Sequence, residues 1–201
     1  MRLRRYALTA VVSTVLWLCV ACIDRSLNPW FPETDAVSES WLLGKWIAHD
    51  EDETSTMTFT RGEGKAYRID CLVERRGSGE TEHGSWEGRL GQIDGVYYLD
   101  YQPAPLADRR DAIWMVRTHG LARLDYADNK LRVRVLDAER LEKTAKEGKL
   151  TEVKFTWIEN EWMDNEVLLT SSTAELRRFL MAHAREEGFF GPEGGEFVRA
   201  K

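Results

Sequence analysis

From Leu43 to Leu136 the chain alternates between apolar and polar positions in short segments broken by turn residues. Tyr67, Ile69, Cys71 and Val73 lie on one face of a seven-residue stretch, while Arg68, Asp70 and Glu74 take the other. Such a period of two predicts a half-buried strand. Residues 43–49, Met57 with Phe59, and 85–90 with Trp86, Gly88 and Leu90 on one side continue the pattern. So do 96–101, 113–118, 121–126 and 131–136. Asp94-Gly95, His119-Gly120 and Asp128-Asn129 mark turns between them, and Asp-Gly is a strong hairpin signal. A helix follows over 138–147, capped by Asp137 and stopped by Gly148. Val153, Phe155 and Trp157 alternate as a strand, 166–170 reads as another, and a second helix opens at Ser172 with Glu175 completing a capping box.

The expected fold is therefore mainly β: an antiparallel up-and-down barrel of about eight to ten strands with two helices. Its domain is expected over 41–188, ahead of a glycine-rich tail at 189–201 with a mobile end, in which Phe189, Phe190 and Phe197 are the side chains able to dock. Before it, 22–40 reads as a solvated tether, interrupted by Asn28-Pro29 and Phe31-Pro32, with Trp30 and Phe31 able to fold back onto the domain and part of 34–43 able to form one helical turn leading into Trp41.

The amino terminus has a different texture. Arg2, Arg4 and Arg5 precede an apolar run from Ala7 to Ala21. About fifteen residues are too few to cross ~30 Å of hydrocarbon comfortably, and the pattern is that of a secretory signal, here 1–21. Val20-Ala21-Cys22 resembles the lipobox of bacterial lipoproteins, although Cys19 and not Leu stands three residues before Cys22. The resemblance implies that Cys22 becomes a lipidated, palmitate-bearing amino terminus. An uncleaved anchor helix and ordinary signal cleavage are the alternatives. Ile23, in place of Asp beside the anchor, favours the outer membrane, on the periplasmic face of the cell envelope.

Loss of residues 1–21 leaves 25 basic against 34 acidic residues, a formal charge of −9. That balance argues against nucleic acid as a partner, which needs a basic footprint. Cys71 becomes the one thiol besides Cys22, so no intramolecular disulfide is expected. His49-Asp50-Glu51-Asp52-Glu53 reads as a solvated hairpin loop in preference to a hard-cation site, since it lacks calcium-loop spacing. His83, His119 and His183 are scattered without metal-ligand spacing, and no nucleophile elbow or phosphate loop occurs. No catalytic residue, metal or cofactor is expected.

Gly44-x-Trp46 early in the strand series, with the strand count, resembles the lipocalin-like (calycin) barrels. The resemblance implies that Gly44 and Trp46 close one barrel end and that a late basic residue covers the tryptophan. Arg132, Arg134 and Lys154 are the candidates. The tryptophans and tyrosines beyond residue 21 would line a cavity for a small apolar or amphipathic ligand. By strand parity the cavity residues are Tyr67, Ile69, Trp86, Trp114 and Trp157. Aromatic side chains equally well fill a small barrel. The competing expectation is thus a filled barrel acting as a non-catalytic envelope interaction module.

Overall fold

A computed structural model describes residues 25–105, 117–158, 166–191 and 195–200. Cys22, Trp114 and most of the strand expected at 113–118 lie outside the described residues.

Eight strands close a barrel: β2 (Gly44–His49), β3 (Glu53–Arg61), β4 (Ala66–Arg75), β5 (Thr81–Ile93), β6 (Val96–Pro103), β7 (Gly120–Ala127), β8 (Lys130–Val135) and β11 (Glu196–Arg199). Each pairs antiparallel with its neighbours. Local chemistry sets the hairpins. Asp94 and Gly95 both have positive φ, as do Asp128 and Asn129, which is what two-residue primed turns require.

The first difference from expectation is the last strand. Glu196–Arg199 belongs to the barrel and not to a tail: β11 fills the gap between β8 and β2. Phe197 is fully buried in the interior. Without this strand both neighbours would expose a row of unpaired backbone groups.

The second difference is at the other end of the chain. Residues 25–43 are packed, not a solvated tether. β1 (Arg25–Ser26) pairs parallel with β10 (Glu166–Leu169), which pairs with β9 (Phe155–Ile158) in a separate three-stranded sheet. The chain then runs as a strap over the outside of the barrel. Trp30 donates its backbone N–H to Asp100 Oδ2 at 2.8 Å, and its side chain is fully buried. Phe31 lies on the Cα of Gly91, and Val37 bridges to Leu90. Burying Phe31 alone contributes about 2–3 kcal/mol. A Cβ at Gly91 would sit 2.8 Å from the Phe31 ring. Gly91→Ala should therefore cost about 1–3 kcal/mol and lower Tm by several degrees, as thermal unfolding would read out.

The strap gives the protein two cores. One fills the barrel, with Trp46, Phe59, Tyr67, Leu90, Leu131 and Phe197. The other lies outside the β6–β7 wall, where Tyr98 and Leu121 meet Trp30, Phe31, α1 (Ala138–Lys146), α2 (Thr173–His183) and Phe190. Asp137 caps α1 through a 2.9 Å bond from Arg140 N, Gly148 has a positive φ just past its end, and Ser172 and Glu175 form the capping box of α2.

Candidate functional site

The barrel interior is the site that strand parity singles out. Tyr67, Ile69 and Trp86 all belong to it: the first two are buried in the interior core and Trp86 packs against it half-buried. They come together because Ile69 pairs with Trp86 and Tyr67 with Gly88 across β4 and β5. Trp157 does not join them. It stands on β9 in the outer sheet, edge-on to Phe155 at 5.9 Å, with Lys146 Nζ 5.9 Å from its ring. The alternation that suggested it is real, but parity selects a face and cannot say which sheet owns the strand.

Among the described residues, the cavity inside the barrel is small. Met57, Phe59, Ile69, Cys71, Trp86 and Tyr101 are among the residues around a cavity of ≈ 20 Å³. That admits about one water molecule. A drug-sized ligand needs ~300 Å³ or more. The Trp86 ring folds over the Cα of Gly84, where any Cβ would overlap it. On β3, Glu53 Oε1 and Ser55 Oγ are buried without a hydrogen-bond partner among the described residues.

The opposite barrel end is closed by aromatic rings and one cation. A single 3-10 turn, Ser40–Leu42, carries Trp41 across the opening. Trp41 stacks on Tyr126 at 4.6 Å and 3°, and Tyr97 meets it edge-on at 5.2 Å. Trp46 donates from Nε1 to the carbonyl of Leu42 at 2.9 Å. Arg199 lies over the Trp46 ring, 4.6 Å from its centroid, and donates to the carbonyls of Leu43 and Trp41. Glu39 ties in two tyrosines: its N–H and carbonyl bond the Tyr67 hydroxyl, and its carboxylate accepts from Tyr97. Burial first, and then the Glu39 carboxylate, push the Tyr97 hydroxyl above its ordinary value.

Gly44 is required here for two reasons. Its φ is +113°, a conformation that side chains avoid, and a Cβ would stand 3.1 Å from Arg199 Nη1. The three basic residues considered from sequence are engaged elsewhere. Arg132 bonds Glu196, Arg134 bonds Asp125, and Lys154 stands 3.8 Å from Glu175. Sequence reasoning missed Arg199 because its strand is four residues long and follows a glycine-rich stretch.

The histidines have structural company. His119 Nδ1 is 2.7 Å from Asp100 Oδ1, and the other oxygen of that carboxylate holds the strap at Trp30. His183 Nε2 is 2.9 Å from Glu152 and its Nδ1 is 2.7 Å from Glu186, with its ring against Phe179 and Phe189. Burial pushes the His183 pKa down, but the two carboxylates outweigh it and the net shift is upward. A raised folded value stabilises the fold below the ordinary value of about 6.5, and the contribution is lost as pH rises through the raised value. Because the pairs are partly exposed, they contribute on the order of 1 kcal/mol or less. His183→Asn should thus lower Tm by a few degrees near pH 6 and by less near pH 9. An unchanged gap across that range would exclude the charge pairing.

The acidic run around Asp50 is the β2–β3 turn, closed by Asp50 N–H to the Glu53 carbonyl and braced by Arg76 N–H on the Asp52 carbonyl. Among the described residues no group of three or more His, Cys, Asp or Glu side chains is placed to hold a metal ion. No helix among them is long and apolar enough to cross a membrane. No protein-family model matches this chain, and neither does any curated protein or solved structure.

Proposed function

We propose that this chain is a lipid-anchored, lipocalin-like lipoprotein of the bacterial envelope that acts as a non-catalytic interaction module and not as a ligand carrier. The observation that carries this reading is the small interior cavity, ≈ 20 Å³ among the described barrel side chains. The closed end supports the lipocalin-like part. Gly44, Trp46 and a late cation, Arg199, occupy the roles that the resemblance implies. The lipobox supports the anchor, with Cys22 acylated at the membrane and the acidic domain held on the periplasmic face of, by preference, the outer membrane.

A filled barrel has no room for a lipid chain, so its working surface is its exterior. The expected partner is another envelope protein. Native mass spectrometry of the lipidated protein checks this. The expected spectrum carries the mass of the acylated chain with no co-purifying small molecule, and tryptophan emission stays unquenched across a panel of fatty acids and lipids. A stoichiometric bound ligand would return the carrier reading.

A further inference from the structure

A lipid-anchored domain at the end of a free tether would search a large volume. The eighteen residues expected between Cys22 and the domain would have an r.m.s. span of roughly 23 Å as a flexible chain, and far more when pulled straight. The structure removes that freedom. Ser26 is fully buried and exchanges both backbone hydrogen bonds with His119, at 2.9 and 2.8 Å. Leu27 donates its N–H to the Leu169 carbonyl, and Asn28 donates from Nδ2 to the Ser171 carbonyl. Trp30 is bolted to Asp100. The first described residue, Arg25, already lies opposite Leu168 in the outer sheet. Three peptide units separate it from Cys22, a reach of at most about 11 Å.

We infer that the protein has a membrane-seating face: the β1–β10 edge, beside the barrel end where β6 stops and β7 begins, is held directly against the lipid surface. This rests on the lipid-anchor reading above and adds to it an orientation. His119 immediately precedes β7, which places the anchor point at that end of the outer wall. In the closed strand order the β6–β7 wall faces away from β2 and β3. The β3–β4 turn around Glu63 is thus diagonal to the anchor, on the far wall and at the far end. The two ends are about 20 Å apart along the barrel axis, given ~3.3 Å per residue and the usual strand tilt. With a net charge of −9 after processing, the body is not drawn to anionic lipid, so the covalent link sets the position. A partner must then lie on or in the same leaflet, since this link does not let the domain reach across the periplasm.

The test uses the full-length lipidated protein in vesicles of phosphatidylethanolamine and phosphatidylglycerol carrying a headgroup nitroxide. A fluorophore is placed at Leu27→Cys or at Glu63→Cys, both exposed positions, while Cys71 is buried. The expected result is several-fold stronger quenching at position 27 than at 63. Insertion of eighteen Gly/Ser residues between Asp24 and Arg25 should abolish the difference. Equal quenching at both positions in palmitate-labelled protein of native spacing would overturn the seating alone. A parent chain that incorporates no palmitate would instead sink the anchor itself, and the seating with it.

Discussion

Ending the chain after Gly191 should abolish folding. The deletion removes β11, which pairs with β8 on one side and β2 on the other, and it opens the barrel along both edges. It takes away Phe197, fully buried in the interior, and Arg199, which covers Trp46 and bonds the turn that closes the barrel end. Loss of Phe197 alone is worth about 3–5 kcal/mol, against a total stability of about 5–15 kcal/mol for an ordinary domain. The exposed strand edges would also pair with other chains. The truncated protein should show no cooperative urea transition and should aggregate. Phe197→Ala should keep the fold but lose about 3–5 kcal/mol, and Phe197→Leu less than about 1.5 kcal/mol. If the truncated chain unfolds at the parental midpoint, β11 is not the closing strand.

Cys22→Ser should abolish metabolic labelling with palmitate. The acyl chains supply ~0.8 kcal/mol per buried CH₂, which makes a multiply acylated end effectively permanent and an unacylated one free. Nothing in the rest of the chain replaces that hold on electrostatic grounds, since the remainder is acidic. A variant that still takes up label would place the anchor elsewhere. The contacts that tie the strap to the domain begin at Arg25, so the substitution should leave Tm unchanged, which separates loss of anchoring from loss of folding.

The barrel was legible in the sequence because its determinants are local. Alternation along Tyr67, Ile69, Cys71 and Val73 reports one wet and one dry face, and Asp94-Gly95 and Asp128-Asn129 accept the positive φ of tight hairpins. Asp137 and the Ser172–Glu175 box announce their helices through bonds within one turn. Tyr67, Ile69 and Trp86 face inward as their parity requires. The rest depends on contacts distant in sequence. Trp157 alternates as well as any barrel residue, yet its strand pairs with β10 in the outer sheet. Trp30 and Phe31, beside prolines, read as able to fold back onto the domain, but where they dock is set by the bare Cα of Gly91 and the carboxylate of Asp100, some sixty to seventy positions on.

By itself, then, the amino-acid sequence determined the class of fold, the helix boundaries, the acidic surface and the expectation of a lipidated Cys22. These follow from neighbours within a few residues or from sums over the chain. The tertiary structure decided which strand closes the barrel, which cation covers Trp46, and how little space the described interior side chains leave around Ile69 and Trp86. It also decided that the chain after Arg25 is bolted down. Each of these is a matter of which distant surfaces meet and how much volume they leave, and periodicity along a chain carries neither quantity.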